Sequence, residues 1–293
     1  MSKPGPFIRP FRIDDGSGFR LKDHDPRATL QKSRKHAEEL LAHGITKLSA
    51  LQEKLYAQNS SALLVIFQAM DAAGKDSAIK HVMSGVNPQG CEVFSFKQPS
   101  GEELEHDFLW RTNCRLPERG RIGIFNRSYY EEVLVVRVHK ELLENERLPK
   151  HLVTKDIWKE RFEDINALER HLTRNGTVIL KFFLNVSRQE QKKRFFDRLK
   201  VQAKSWKYSM SDAKERERWD EYMEAYEDLL RHTATRHAPW YVVPADHQWF
   251  TRIVVVETIV SALEELKLEF PKVDSAKRKE LKAARAALEA EAD

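Results

Sequence analysis

A short loop near residue 70 has the residue types of a phosphate-binding turn. Residues 62–68 (ALLVIFQ) are apolar and rich in strand-forming side chains, and loop 69–74 separates them from a helix-compatible segment that begins at Lys75. In such a turn, backbone N–H groups and the positive end of the helix dipole face an anion, and the lysine adds a positive charge. The order of strand, loop and helix predicts a phosphate site, with a plain strand-to-helix turn carrying a surface lysine as the alternative.

The loop departs from the usual pattern G-x-x-x-x-G-K-[ST] at two positions. Ala69 replaces the first glycine and Asp76 replaces the serine or threonine, while Gly74 matches. Asp71 lies inside the loop, where its carboxylate would repel phosphate unless a cation lies between the two. We therefore expect the loop to bind phosphate and Mg²⁺ together. The predicted phosphate-binding residues are Ala72, Ala73, Gly74, Lys75, Asp76, Ser77 and Lys80.

A second set of polar residues follows the apolar segment 121–125. Asn126 stands where Walker-B-type proteins end a strand in aspartate, a residue that helps to hold Mg²⁺. Arg127 could clamp a phosphate with two parallel hydrogen bonds, and Glu131 or Glu132 could supply the missing negative charge. The alternative interpretation is structural: Asn126 caps the following helix, and the two glutamates complement the dipole of its first turn.

Residues 192–207 carry a concentrated positive charge, with seven lysines and arginines against Asp197 alone. The whole chain, by comparison, has a net charge of +5. On a helix, one stripe of this segment contains Lys193, Lys200, Lys204 and Lys207, and another contains Phe195, Leu199 and Trp206. We interpret the segment as part of a helical lid that docks by its apolar side and presents cations to a phosphate-rich ligand. A solvated basic face is the alternative.

The pattern of elements predicts how these segments are brought together. Short apolar segments alternate with helical periodicity, which indicates a parallel sheet covered on both faces, an α/β fold. Ligands of such sheets bind beyond the carboxyl ends of the strands, so Lys97, directly after the second strand, is expected to face the site. The predicted strands are 62–68, 92–96, 121–126, 177–184 and 240–243. The predicted helices are 28–57, 102–113, 128–142, 154–174, 187–203, 211–233 and 247–267.

Length and composition limit the kinds of protein that this chain can be. The chain has 293 residues, of which 41% are hydrophobic, enough for one large α/β domain. We divide it into an extended N-terminal arm (1–27), a catalytic domain (28–270) with a lid at about 187–233, and a charged C-terminal tail (271–293). Neither a membrane-spanning run nor a secretory leader is visible, and two cysteines make no disulfide framework, so we expect a soluble, cytoplasmic protein.

Five segments together resemble the polyphosphate kinase 2 family, and they cover most of residues 40–268. These segments are QAMDAAGKDS (68–77), FKQPSGEELEHDFLWR (96–111), GIFNRSYYEEVLVVRVH (123–139), RFFDRLKVQAKSWKYS (194–209) and TATRHAPWYVVPADHQWFTR (233–252). Asn126 in place of the Walker-B aspartate, together with Glu131, makes the chain similar to the class III branch, described as polyphosphate:AMP/ADP phosphotransferases.

The resemblance implies Mg²⁺-dependent transfer of a phosphoryl group from inorganic polyphosphate to AMP or ADP, and Mn²⁺ could replace Mg²⁺. It implies a three-layer phosphate-loop kinase fold, with a parallel five-stranded sheet and a helical lid, assembled as a homo-oligomer such as a dimer or tetramer. Guanine nucleotides are further candidate acceptors, and neither a membrane nor a nucleic acid is an expected partner.

The residue roles follow from the matched motifs together with the spacing. The expected catalytic residues are Asp71, Lys75 and Arg127; the nucleotide-binding residues are Asn126, Glu131 and Lys97; the lid residues that bind polyphosphate are Arg198, Lys204 and Lys207; and the metal ligands are Asp71 and Glu131. Two other functions would use the same features. An ATP-dependent nucleoside monophosphate kinase of the thymidylate kinase type would have a similar loop and lid, and a nucleic-acid-binding protein would have a similar basic patch.

Overall fold

A six-stranded sheet forms the centre of the computed structural model, which describes residues 7–200 and 210–291. The strands are β1 (Arg12–Ile13), β2 (Ala62–Gln68), β3 (Cys91–Ser95), β4 (Ile122–Asn126), β5 (Thr177–Asn185) and β6 (Trp240–Pro244). The helices of the described residues are α1 (Ala37–Gln58), α2 (Lys75–Val82), α3 (Trp110–Asn113), α4 (Val135–Val138), α5 (Ile157–Arg174), α6 (Arg188–Lys200), α7 (Met210–Glu217), α8 (Trp219–Thr233), α9 (Gln248–Glu265) and α10 (Ser275–Glu289). Lys204 and Lys207 of the predicted lid lie outside the described residues.

The sheet order is β1-β6-β5-β2-β4-β3. Strands β2 to β6 are mutually parallel, which confirms the predicted parallel sheet of five strands. The prediction of five strands in total was wrong by one, because β1 pairs antiparallel with β6 at the edge. Its two residues, Arg12 and Ile13, lie in the segment predicted to be an extended arm, and a strand this short has no periodicity to reveal it.

Helices cover both faces of the sheet and give three layers. Helices α1, α2 and α9 pack together on one face, and α5 and α8 cover the other. All seven residues of β2 are buried, as expected for a central parallel strand that is covered on both sides. No helix among the described residues is long and apolar enough to cross a membrane.

The predicted N-terminal arm packs against the domain. Ile8, Phe11 and Phe19 are buried in the main hydrophobic core, and the Phe11 ring lies 5.9 Å from that of Phe250. Farther along, the backbone N–H of Leu21 donates a hydrogen bond to the Glu227 carboxylate at 2.7 Å. The segment is therefore extended in conformation for most of its length but contributes side chains to the core.

Three predicted helices are shorter than the sequence indicated: α1 begins at Ala37 and not at residue 28, and the segments 102–113 and 128–142 are also less regular. In 102–113, the Asp107 side chain accepts the N–H of Leu109 at 2.9 Å, a local turn that competes with helix, so α3 has four residues. In 128–142, the Ser128 side chain accepts the N–H of Tyr130 at 3.2 Å, which again forms a local turn. A 3₁₀ turn follows at Tyr129–Val133, and α4 again has four residues.

Candidate active site

The phosphate loop connects β2 to α2 through a backbone with positive φ at two positions. Ala72 has φ of 61° and Gly74 has φ of 110°. A Cβ at Gly74 would meet no atom closer than 3.7 Å, so the backbone conformation, not lack of space, favours glycine there. Helix α2 begins at Lys75, and the N–H groups of its first turn have no intrahelical partner. The loop therefore ends in a helix N-terminus, as the sequence predicted, and anion binding at that terminus stays a prediction.

Lys75 is buried beneath the loop. Its Nζ donates to the carbonyl oxygen of Ala69 at 2.6 Å and to that of Met70 at 3.4 Å. Burial lowers the pKa of Lys75, and the Asp71 carboxylate opposes that shift. The two carbonyl contacts fix the ammonium group at the loop's base, and the charges of Asp71, Glu131 and Asp76 oppose the effect of its desolvation.

The parallel pairing of β4 with β2 carries Arg127 to the loop. Asn126 lies opposite Phe67 in the register, and the backbone N–H of Arg127 donates to the Phe67 carbonyl at 3.0 Å. Arg127 has φ of 64°, and its Nη2 donates to Asp71 Oδ1 at 2.9 Å. Its Nη1 lies 3.7 Å from Glu131 Oε2. The charge of Glu131, and then that of Asp71, raises the pKa of Arg127 despite partial burial.

Glu131 is a half-buried carboxylate, with its side chain 17% exposed, at the centre of this set. Burial raises its pKa, and the charges of Arg127 and Lys75 oppose the shift. With its amide oriented to satisfy both polar atoms, Gln68 donates to Glu131 Oε1 at 3.1 Å. Four of the predicted residues, Asp71, Lys75, Arg127 and Glu131, are thus electrostatically coupled in one place.

Asn126 connects the strand end to the first turn of α2. Its Nδ2 donates to Asp76 Oδ1 at 2.8 Å and lies 3.4 Å from Ser95 Oγ at the end of β3. Two of the three positions that depart from the common motifs, Asp76 and Asn126, are therefore in contact: the amide donates to the carboxylate. Three parallel strands, β2, β4 and β3, meet at this point.

The predicted metal ligands, Asp71 and Glu131, flank the Arg127 guanidinium. Across the described parts of the chain, no group of three or more His, Cys, Asp or Glu side chains could enclose a metal ion. Mg²⁺ is commonly held by one or two carboxylates together with substrate phosphates, and it prefers oxygen ligands. The available donors, two carboxylates and the Asn126 amide oxygen, fit a metal ion that binds along with phosphate.

A cavity of about 360 Å³ opens beside Arg127 and Glu131. Lys97, the third predicted nucleotide-binding residue, also lines it, and the carbonyl oxygen of Lys97 accepts a hydrogen bond from Arg111 at 2.8 Å. Apolar and aromatic side chains such as Phe108 and Val135 line other parts of its wall. The cavity has the mixed lining of a small-molecule site.

The remaining predicted residues are placed less centrally. Arg198 is half-buried on α6, with its guanidinium 5.6 Å from the Phe195 ring, and Lys80 is exposed on α2. Ser77 Oγ accepts a hydrogen bond from Arg252 at 2.9 Å. Ala72, Ala73 and Gly74 form the loop itself, with Ala72 and Ala73 buried.

Sequence reasoning missed two side chains that contact the loop, Gln191 and Arg194, and a third, Arg252, that contacts Ser77 in the first turn of α2. Gln191 donates to the carbonyl oxygen of Asp71 at 3.0 Å, and Arg194 donates to that of Ala73 at 2.8 Å. Arg194 belongs to the basic run, whose pattern gives the side chain's charge but not the group that it contacts. The neutral Gln191 left no signal that could have found it.

Comparison with known proteins agrees with this geometry. The family model for Polyphosphate kinase 2 (PPK2) matches residues 31–271. The chain is 51% identical to an ADP-polyphosphate phosphotransferase of Rhodopseudomonas palustris, covering 92% of this chain and 94% of that protein. It is 42% identical to an AMP/ADP-polyphosphate phosphotransferase of Meiothermus ruber, covering 93% and 98%. The crystal structure of Polyphosphate Kinase 2 from Arthrobacter aurescens TC1 matches with a TM-score of 0.87 at 39% identity, over 97% of this chain and 99% of that one. The chain therefore belongs to the polyphosphate kinase 2 family.

Proposed function

We propose that the protein transfers a terminal phosphoryl group from inorganic polyphosphate to AMP, ADP or both, forming ADP or ATP. The observation that carries this proposal is the convergence of Lys75 and Arg127 with the carboxylates of Asp71 and Glu131 at the end of a phosphate loop, in a chain of this family. One phosphoanhydride bond replaces another in the reaction, so it is reversible in principle and its direction follows the substrate concentrations.

The acceptor nucleotide fits the cavity beside Arg127 and Glu131. Its phosphate end would lie at these two residues and Asn126, and Lys97 would add a cation at the rim. The apolar part of the lining suits a nucleobase, because a base presents a flat apolar face. Acceptance of both AMP and ADP, as in the class III branch, is supported by Asn126 and Glu131 at the matched positions.

Phosphoryl transfer depends on positioning and charge stabilisation, and the site residues can supply both. Lys75 and Arg127 would neutralise charge on the transferring phosphoryl group, and Arg198, with Lys204 and Lys207 of the lid, would bind the polyphosphate chain. Asp71 and Glu131 would hold Mg²⁺, which supplies charge neutralisation between phosphate oxygens. In the described structure both carboxylates interact with Arg127, so binding of phosphates is expected to redistribute these ion pairs.

An ATP-dependent nucleotide kinase and a nucleic-acid-binding protein are less well supported. Both would be compatible with a phosphate loop or a basic patch alone, but the chain's relatives carry polyphosphate phosphotransferase names over nearly their full length.

We also propose that the protein is a cytoplasmic homo-oligomer and that guanine nucleotides can serve as acceptors. The family resemblance supports these finer statements, and light scattering and a comparison of GMP and GDP with AMP and ADP test them.

A coupled assay tests the proposed reaction directly. ADP, polyphosphate and Mg²⁺ are supplied without any nucleoside triphosphate, and ATP is detected with luciferase. We expect ATP to form in proportion to enzyme and to stop when Mg²⁺ is chelated. If no product appears from AMP or ADP with polyphosphate, while ATP serves as donor to AMP, the nucleotide kinase hypothesis replaces this one.

The variant Lys75→Ala tests the site within that assay. It removes the buried cation at the loop, and we expect kcat to fall on the order of 10²- to 10³-fold, as for loss of one preorganised charge-stabilising group. Lys159→Ala is the matched control, since Lys159 is exposed on α5 and should leave the rate unchanged. Full activity in a folded Lys75→Ala protein would contradict a catalytic role for this loop.

A further inference from the structure

Side chains of α6 hydrogen-bond to three consecutive carbonyl groups of the phosphate loop. Gln191 Nε2 donates to the carbonyl oxygen of Asp71 at 3.0 Å. Arg194 Nη1 donates to the carbonyl oxygens of Ala72 at 3.1 Å and Ala73 at 2.8 Å. Such a run of side-chain donors to adjacent peptide groups fixes a backbone conformation that the loop's own sequence does not favour, since Ala72 has φ of 61°.

These three contacts also determine where the loop's N–H groups point. The chain has no cis peptide bond among its described residues, so each carbonyl and the N–H that follows it point in opposite directions. With the carbonyls of Asp71, Ala72 and Ala73 directed at α6, the N–H groups of Ala72, Ala73 and Gly74 face away from it. That of Ala73 donates to the Met70 carbonyl at 3.2 Å, which closes the turn.

Arg194 uses its guanidinium donors on protein groups. Besides the two loop carbonyls, Nη2 donates to the carbonyl oxygens of Ala245 at 2.6 Å and Asp246 at 3.1 Å, and Nε donates to Glu190 at 3.0 Å. A guanidinium offers five N–H donors, so this geometry leaves none for a phosphate. Arg194 thus differs from a phosphate-binding cation of the lid, although the two have the same charge.

The amide of Gln191 is held from the other side. Its Oε1 accepts a hydrogen bond from Arg216 Nη1 at 2.7 Å, and that same nitrogen donates to the carbonyl oxygen of Arg188 at 2.8 Å. Gln191 is 1% exposed, so its amide has no solvent to exchange with. Arg216 belongs to α7, so these hydrogen bonds connect α7 to Gln191 of α6, and Gln191 in turn contacts the loop.

We propose that Gln191 and Arg194 are positioning residues that orient the peptide groups of the phosphate loop for an anion. They act through the loop's carbonyl groups and do not touch the phosphate. Because both lie on α6, the helix that also carries Arg198, the loop's conformation depends on how α6 is seated. The inference rests on the proposed function, since it assigns these residues to anion binding by the loop.

The first test separates positioning from charge with tripolyphosphate as the probe. Its dissociation constant is measured by calorimetry over a range of NaCl concentrations for Arg194→Lys, Arg194→Gln and Arg198→Gln. We expect both Arg194 variants to bind about 10-fold more weakly with the wild-type salt dependence, because no ion contact with the ligand is lost. In Arg198→Gln, the dissociation constant should depend less steeply on salt, because the variant makes one ion contact fewer with the ligand. Lys159→Gln, the loss of an exposed charge on α5 outside the basic run, is the control and should bind within about 2-fold of wild type.

The second test uses turnover. Misplacement of reacting groups by about 1 Å can cost about 10²-fold, so we expect kcat to fall by that order in Arg194→Lys as much as in Arg194→Gln. Gln191→Glu keeps the size of the side chain but replaces the donor with a carboxylate, and it should lower kcat similarly, whereas Gln191→His, which can still donate, should recover part of it. Thermal unfolding checks that each variant is folded. If the Arg194 variants do not fold, Gln191→Glu and Gln191→His provide the test of positioning.

Three results would overturn the inference. Wild-type behaviour of Arg194→Lys alongside a defective Arg194→Gln would show that charge is what matters, and a flattened salt dependence in Arg194→Gln would make Arg194 a phosphate ligand. Full turnover in folded Gln191→Glu would show that Gln191 is not a positioning residue. Failure of the wild-type protein to bind tripolyphosphate would instead contradict the phosphate loop itself, which distinguishes failure of the proposed function from failure of this inference.

Discussion

Glu132, the neighbour of Glu131 in the candidate active site, shares one arginine with a second carboxylate. Arg161 Nη1 lies 2.9 Å from Glu132 Oε1, and Arg161 Nη2 lies 2.7 Å from Glu146 Oε2. Both glutamates line the cavity, and the three side chains are at most 15% exposed. Two carboxylates with one buried guanidinium leave an excess negative charge, which favours retention of a proton. Burial raises the pKa of Glu132 to about 8, with Arg161 opposing the shift and Glu146 adding to it.

This pKa makes stability depend on pH in a definite direction. Between pH about 4.5, the ordinary value, and pH about 8, the folded protein keeps a proton on Glu132 that the unfolded chain has lost. The folded state therefore binds more protons, and the free energy of unfolding falls as pH rises, by up to about 1.4 kcal/mol per pH unit from this group. We expect Glu132→Gln, which cannot ionise, to remove this slope while Arg161 keeps Glu146 as its partner.

Urea unfolding at pH 5, 6, 7 and 8 checks the expectation. The difference in unfolding free energy between wild type and Glu132→Gln should shift in favour of the variant as pH increases, because all other titrating groups cancel in the difference. Glu144→Gln, a change at an exposed glutamate in the same region, should give a difference that does not vary with pH. A constant difference for Glu132→Gln would mean that Glu132 is ionised throughout this range.

At the scale of residues, sequence reasoning found groups whose place follows from topology. Asp71, Lys75, Arg127 and Glu131 lie at the ends of neighbouring parallel strands, where any doubly covered sheet concentrates its ligand contacts. Sequence reasoning could not identify contacts that depend on the direction in which a side chain points. Arg194 and its lysine neighbours look alike as a charge pattern, but only tertiary structure shows that its guanidinium meets carbonyl groups.

At the scale of elements, a buried ion pair joins α5 to β5. Lys181 and Glu169 are fully buried, with Nζ 2.6 Å from Glu169 Oε2, and Lys181 also donates to the Thr233 carbonyl at 2.8 Å. The Glu169 carboxylate accepts the hydroxyls of Tyr129 and Tyr130 at 3.0 and 2.7 Å. The pair therefore anchors the 3₁₀ turn that follows Arg127, and through it the strand-end part of the active site.

Removing the charge of one member of this pair should lower the unfolding free energy more than removing both charges. Lys181→Met leaves a buried carboxylate without its cation, and we expect it to lower the unfolding free energy by about 3–5 kcal/mol. Adding Glu169→Gln removes that charge, while the amide oxygen can still accept from the tyrosine hydroxyls, so the double variant should recover part of the loss. Urea unfolding of wild type, both single variants and the double variant measures the coupling. A double variant that is no more stable than Lys181→Met would show that the two charges do not depend on each other.

The elements themselves were predictable where their pattern was long. Five apolar runs gave β2 to β6 to within a residue or two at each end, and α5 and α9 followed from helical periodicity. Regions 102–113 and 128–142 were mispredicted because the Asp107 and Ser128 side chains accept nearby backbone N–H groups and form local turns that compete with helix. Periodicity reports which side of an element is apolar and carries no information about such contacts.

At the scale of the whole molecule, the two terminal segments differ in what they contribute. The N-terminal segment supplies strand β1 and the buried side chains of Ile8, Phe11 and Phe19. Helix α10, in the predicted tail, has no buried residue. Its backbone is capped by Asp274, whose side chain accepts the N–H of Lys277 at 2.7 Å, so the helix is stabilised locally and not by the core. Side chains before residue 27 therefore belong to the main core, whereas α10 lies outside it, and the domain boundaries at residues 27 and 270 stay predictions.

Truncation at each boundary tests this difference. Deleting 271–293 removes no side chain that is buried among residues 271–291, so we expect the free energy of unfolding to change by less than about 1 kcal/mol and turnover to be preserved. Deleting 1–27 exposes the surface that Ile8, Phe11 and Phe19 cover, at about 1.5–3 kcal/mol for each large apolar side chain, which corresponds to a fall in Tm of roughly 10 °C or more. Scanning calorimetry gives both values, and light scattering reports whether either deletion changes the oligomer. A large loss of stability or a change of mass on removal of 271–293 would show that α10 packs against another copy of the chain, because the described residues of a single chain leave it fully exposed.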